Sequence, residues 1–245
     1  MNYNTRLDIL KEIIKKEQIG LEKTQRYAYL NTKKYGYKKI LNYFNGKNVL
    51  ELGTDGTATS SILVRWSKEL TIVDIKDKFT QQIKKDKKLK NATFILSTWE
   101  QYQPKEKFTD IFLTDSLEHV KDPIKLLKII RKWLKKNGRL HIIVPNALSI
   151  HRLLGVELKY LKDPYELNRN DIESGHIKVY DHNILKSEIK SANLKILTCE
   201  GVQLKPNTDI QLVNLGDKFS KSLNNLSYLF NENCAEIYVC CTKNK

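Results

Sequence analysis

The sequence predicts an α/β fold, with a mostly parallel seven-stranded sheet covered by helices on both faces. Three observations lead there. Seven short apolar runs rich in β-branched residues recur along the chain, at 48–52, 70–73, 93–96, 111–113, 140–144, 195–197 and 237–241, and such runs read as buried strands. Segments of helical periodicity lie between several of them, and strand-helix alternation implies parallel strands buried on both faces. The stretch NVLELGTDGT at 48–57 runs from apolar residues straight into glycine and small polar residues. Ligands in sheets of this kind bind beyond the carboxyl ends of the strands.

Residues 1–46 read as helices ahead of the first strand and carry a tyrosine cluster, RYAYLNTKKYGYKKILNYF. A helix is expected to start near 57–60. The segment 123–135 has apolar residues at 124, 126, 127, 129, 130, 133 and 134. Asp122-Pro123 suits its start, and Asn137-Gly138 is expected to stop it. Another helix is expected over 184–192, with Asp181 or Asn183 near its cap. Two long stretches, 146–182 and 201–233, fall outside the alternation, and long connections of this kind often serve as lids or binding loops. The expectation is one domain over 1–245. It comprises a helical extension or lid at 1–46, a ligand-binding core at 47–200, and substrate-side inserts at 146–182 and 201–233.

Composition narrows the classes. The chain has 245 residues, 40% of them hydrophobic, enough for a packed core. No run approaches the roughly 18 apolar residues of a membrane span. The opening MNYNTRLDILKEIIKKE has no apolar segment of the secretory kind. Cys199, Cys234, Cys240 and Cys241 show no CxxC spacing, so reduced, packed thiols in a cytoplasmic protein are expected and no metal is. Cys240 and Cys241 would point to opposite faces of a strand. The net charge of +15 suggests an anionic partner. Yet 36 lysines stand against seven arginines, whereas phosphate and base readers favour arginine forks. Whether the charge is functional or compositional stays open.

In the glycine stretch, Gly53 follows the first strand, where a missing side chain lets a ligand approach the backbone. Gly56 offers a second such point. The G-x-G-x-x-G fingerprint of dinucleotide sites is absent. Glu51 at the strand end and Asp55 in the loop disfavour a phosphate and suit a cationic ligand. TIVDIKD follows, with Asp74 placed 23 residues beyond Glu51, and one carboxylate can accept from two vicinal hydroxyls. Further on come FILSTWEQYQP and DIFLTDSLEHVKDPIKLLKIIRKWLKKNGRLHIIVPN.

In this order the four motifs resemble class I S-adenosylmethionine-dependent methyltransferases of the small-molecule branch, over roughly residues 45–200. The resemblance implies a Rossmann-like fold and S-adenosyl-L-methionine as cofactor. The first motif departs from the family at Asp55 and Thr57, where glycine is frequent. By resemblance Glu51, Gly53, Thr54, Asp74, Ile75, Thr98, Trp99 and Asp115 form the cofactor set. Asp74 would take the ribose hydroxyls, and Thr98 or Trp99 would flank the adenine. Ser116 is a further candidate beside Asp115.

An alcohol acceptor is a poor nucleophile until its proton is removed, and histidine suits that task near neutral pH. His141 lies within an apolar strand and reads as structural. His119 in LEHV, His151 in PNALSIHR and His176 in SGHIKVYD each remain a candidate base, with His119 preferred for its place after the fourth strand. Tyr27, Asn146, Arg152 and Arg169 are the substrate-side candidates. Arg152 and Arg169, with Lys159 and Lys178, would suit a phosphate. PNALSIHR resembles enzymes of sugar and surface-polysaccharide pathways. The expected reaction is therefore methyl transfer to an oxygen of a small, sugar-related, phosphorylated or nucleotide-activated acceptor. The alternatives are an RNA methyltransferase, favoured by charge and disfavoured by the missing RNA-binding module, and a catalytically inactive cofactor-binding homologue. A nicotinamide dehydrogenase fits poorly without its fingerprint. Oligomeric state stays open.

Overall fold

The computed structural model describes residues 1–22, 24–54, 58–75 and 92–244. Seven strands form one sheet: β1 (Asn48–Leu52), β2 (Glu69–Asp74), β3 (Ala92–Leu96), β4 (Phe108–Thr114), β5 (Leu134–Pro145), β6 (Leu194–Val202) and β7 (Glu236–Lys243). Each expected apolar run lies inside one of them. Their order is β3-β2-β1-β4-β5-β7-β6. The first five pair in parallel, and β7 runs antiparallel to both β5 and β6.

Alternation along the central strands feeds two apolar layers. On one face Val49, Ile72, Phe112, Ile143, Tyr238 and Cys240 pack with residues of α1 (Tyr3–Glu17), α2 (Gln25–Ile40) and α3 (Ala58–Trp66). On the other, Leu50, Leu113, Ile142, Val239 and Cys241 pack with α4 (Pro123–Trp133) and α7 (His182–Ser191). Cys240 and Cys241 thus enter opposite layers, as their adjacency on a strand requires. All four cysteines are free thiols, and Cys199 alone is not fully buried. Among the described residues no helix is long and apolar enough to cross a membrane.

Side-chain caps set several helix starts. Asp122 accepts from the Lys125 N–H at 2.9 Å ahead of α4, and Asp181 from the Ile184 N–H at 2.6 Å ahead of α7. The long stretch after β5 contains α5 (Ile150–Glu157) and α6 (Arg169–Ser174). The insert between β6 and β7 contains α8 (Asp209–Leu226), which bends at Gly216.

One expectation fails. The helix from Pro123 ends at Trp133, and Asn137-Gly138 does not stop it. Leu134 is fully buried and already extended, pairing with Phe108 of β4. Burying Leu134 in the sheet layer wins over another helical turn. Asn137-Gly138 instead lies inside β5, where the register with β4 shifts. A Cβ on Gly138 would stand 2.9 Å from the Phe108 carbonyl oxygen, so glycine lets the irregular strand pass close to its neighbour.

Candidate active site

The strand order reverses its direction of growth between β1 and β4, the switch point beyond whose strand ends ligands of such sheets bind in a crevice. The Ser116 hydroxyl, just after β4, donates to the Leu52 carbonyl at 2.8 Å and ties the loops together. Gly53 has φ +79° and donates its N–H to Val73 at 2.9 Å. A Cβ there would meet Ser116 Oγ at 2.7 Å and the Trp99 ring at 3.2 Å. Conformation and space therefore both demand glycine, and Trp99 closes over it from the loop after β3.

Asp74, at the end of β2, is buried and accepts the Thr54 N–H at 2.9 Å. The Thr54 hydroxyl lies 2.8 Å from Ser60 Oγ. Thr98 caps the turn that carries Trp99 by accepting from the Gln101 N–H at 3.3 Å. Ile75 is exposed just beyond Asp74. Glu51 has no exposed surface, and its two oxygens accept from Thr59 at 3.0 Å and Ser60 at 2.6 Å. It braces the first turn of α3, which is a loop-holding position. Asp55, Gly56 and Thr57 lie outside the described residues.

The end of β4 carries the densest charge. Asp115 takes a left-handed backbone, φ +51°, a conformation aspartate tolerates better than most residues. Its Oδ2 pairs with the fully buried Lys33 ammonium of α2 and accepts from Tyr29 at 3.2 Å. Lys33 also meets Glu236 of β7 at 3.1 Å. Tyr29 and Lys33 share a helix face at i, i+4, so the N-terminal extension does reach the crevice. Glu118 is buried beside them. Burial and the Asp115 charge hold its carboxyl well above the ordinary value. Burial likewise pushes Glu236 up to about 7, against the opposing pull of Lys33. Asp115 Oδ1, both Glu118 oxygens and Glu236 Oε2 are buried with no hydrogen-bond partner among the described residues. An orphaned carboxylate oxygen at this point fits a cationic ligand such as a sulfonium.

His119 stands beside this cluster, its Nδ1 2.9 Å from the Gly175 carbonyl. His176 packs edge-on against it, ring centroids 4.9 Å apart. The stretch after α6 is stitched to the turn after β4 by the Ile177 N–H, which donates to the Glu118 carbonyl at 3.0 Å. His176 Nδ1 bonds Asp171 at 3.1 Å. Burial alone would raise the Asp171 carboxyl, but hydrogen bonds from His176, the Asn168 N–H and Arg152 outweigh it and hold it at about 2. His151 sits apart from this pair. Burial, with Lys205 and Arg152 nearby, lowers it to about 3, which makes it neutral and a weak base. His141 is fully buried between Tyr238 and Asp110, a structural position as expected.

The structure does not gather the four substrate-side candidates. Arg152 is buried and donates to Asp171, Pro164 and Glu166. It therefore holds the insert together and offers no exposed fork to an anion. Arg169 is exposed on α6 and pairs with Glu173 at 2.7 Å. Asn146 is buried and its amide donates to Glu232 and Cys234 carbonyls, which fastens the end of β5 to the chain before β7. Tyr27 bonds Asp217 at 2.7 Å. Two helix positions away, and so on nearly the opposite side of α2, Tyr29 is the tyrosine that reaches Asp115. Lys178 is paired with Glu188. Sequence reasoning missed Lys33, Glu118, Glu236 and Asp171. Only Glu118 had a signal, its place within LEHV.

The methyltransferase-domain family model matches residues 24–198. No curated protein matches in sequence. Among solved structures, the chain is similar to the N-methyltransferase NodS of Bradyrhizobium japonicum in complex with S-adenosyl-L-homocysteine, at 13% identity, TM-score 0.53, over 81% of this chain and 79% of that one. A similar match is the S-adenosylmethionine-dependent methyltransferase of Clostridium acetobutylicum, at 13% identity, TM-score 0.58, over 87% and 92%. Another is the S-adenosylmethionine-dependent methyltransferase of Mesorhizobium loti, at 11%, TM-score 0.60, over 86% and 99%. At such identities these likenesses show the Rossmann-like fold, and the family match covers well over half of the chain. The chain belongs to the methyltransferase-domain family and is an S-adenosylmethionine-dependent methyltransferase.

Proposed function

We propose that the enzyme methylates a hydroxyl oxygen of a small, sugar-related molecule. The observation that carries this reading is the meeting of His119 and His176 with Asp115 and Glu118 at the crevice mouth. S-adenosylmethionine supplies an electrophilic methyl on a sulfonium. In this reading Asp74 holds the ribose hydroxyls, Gly53 and Trp99 line the nucleoside side, and Asp115 faces the positive sulfur. His119 donates Nδ1–H to the Gly175 carbonyl, so Nε2 is the atom that takes the acceptor's proton. The insert carrying His176 covers the acceptor side and excludes water.

A phosphorylated or nucleotide-activated acceptor finds little support, because the expected arginines are engaged elsewhere and the crevice is lined by carboxylates. The sugar-related class and a polysaccharide role rest on the resemblance of PNALSIHR alone. The test is transfer of labelled methyl from the cofactor to panels of neutral polyols, sugar phosphates, amines and RNA. Label in base-stable ether on the neutral hydroxyl panel supports the reading. Label confined to amines, or to RNA with a steep salt dependence, would replace it.

A further inference from the structure

Glu118, His119 and His176 each present one ligand atom, and these atoms lie within 4.8 Å of one another. Their hydrogen bonds decide which nitrogen of each ring carries the lone pair. His176 Nδ1 is turned to an Asp171 oxygen at 3.1 Å, so it donates there and Nε2 carries the lone pair. His119 Nδ1 is turned to the Gly175 carbonyl at 2.9 Å and likewise leaves the lone pair on Nε2. Both rings are thus held in one tautomer by an acceptor behind them, the arrangement that orients metal-bound histidines. Arg152 fixes the Asp171 carboxylate from the far side at 3.0 Å.

His176 Nε2 stands 3.8 Å from Glu118 Oε1, a lone pair facing a carboxylate oxygen. Glu118 has no exposed surface, and neither of its oxygens has a hydrogen-bond partner among the described residues. Nearby, the Lys33 ammonium is taken up by Asp115 and Glu236. A buried polar group without a partner is costly, and a cation between Glu118 and the two imidazoles gives the Glu118 carboxylate one.

We propose that Glu118, His119 and His176 bind a divalent transition metal ion, and that an acceptor hydroxyl completes its coordination. Two imidazoles and one carboxylate suit zinc, cobalt, manganese or iron better than the oxygen-only preference of calcium or magnesium. At bond lengths of about 2.1 Å neighbouring ligand atoms stand about 3–3.5 Å apart, so small side-chain rotations close the site. This deepens the hydroxyl-acceptor reading and rests on it for the ligand's role. With the ion bound, His119 Nε2 is a ligand and no longer the base: coordination lowers the hydroxyl's pKa and its proton passes to water. The oxygen then forms the new C–O bond while the C–S bonding pair stays on sulfur.

The experiment is a titration of the full chain, stripped with chelator, with cobalt(II) alone, followed by calorimetry and by the visible d–d absorption. One ion per chain, bands of nitrogen-oxygen ligation without sulfur charge transfer, and at least tenfold weaker binding in each of Glu118→Gln, His119→Ala and His176→Gln are expected. Circular dichroism and S-adenosylhomocysteine binding check that each variant folds. Substoichiometric binding in the wild type, or affinity unchanged in variants that fold, overturns the site and leaves an imidazolium–carboxylate network in its place. Loss of S-adenosylhomocysteine binding in the wild type would strike the cofactor assignment instead, so the two failures are distinguishable.

Discussion

Asp74→Asn isolates the ribose role proposed for this acid. Asp74 is buried, and one of its oxygens accepts the Thr54 N–H at 2.9 Å. The amide is isosteric and its carbonyl keeps that bond, so the loop after β1 stays held. The other oxygen becomes an NH2 group, which donates where two ribose hydroxyls need an acceptor. A hydrogen bond to a charged group contributes about 1.5–3 kcal/mol. Losing the charge and one acceptor is expected to weaken cofactor binding by about 2–3 kcal/mol, a roughly 30- to 150-fold rise in Kd. Calorimetric titration with S-adenosylhomocysteine reads this directly, with thermal unfolding as the control for fold. A folded variant whose Kd stays within about threefold of wild type would show that Asp74 serves the loop and not the ribose.

Gly53→Ala forces a side chain into φ +79° against Ser116, and is expected to lower unfolding stability by about 1–2 kcal/mol as well as cofactor affinity, both measured on one preparation. Lys33→Met removes the ammonium between Asp115 and Glu236; urea unfolding should show a loss of about 3–5 kcal/mol, and a loss under 1 kcal/mol would mean the carboxylates are not relying on it. His141 is fully buried. Burial alone would lower its pKa, but the Asp110 bond and neighbouring Cys240 raise it to about 9, above its unfolded value of about 6.5. Its contribution is therefore complete below the unfolded value and is lost as pH rises towards 9. Urea midpoints across that window should fall in the wild type and flatten in His141→Gln. Among the candidate bases, His119→Ala should lower kcat about 100-fold and His151→Ala far less, because His151 is held at about 3; equal losses in both would remove the distinction.

The sequence by itself determined the sheet and pointed to the strand ends proposed for the cofactor. β-Branched runs mark strands because they pack on both faces. Gly53 and Asp74 are readable because each stands at a strand's carboxyl end, a position set by local order along the chain. The acceptor side is different. Arg152 and Asn146 have the right chemistry and the right neighbourhood in sequence, yet burial turns their donors onto the insert's own backbone. Lys33 is one of two adjacent lysines, and nothing local tells it from Lys34. Only the packing of α2 against the ends of β4 and β7 buries it between Asp115 and Glu236. His176 joins His119 across 57 residues of sequence, because the Ile177 N–H fastens the insert to Glu118. Strand ends are fixed by neighbours in the chain, whereas a cluster assembled from an N-terminal helix, an insert and two strands depends on long-range contacts that no local pattern encodes.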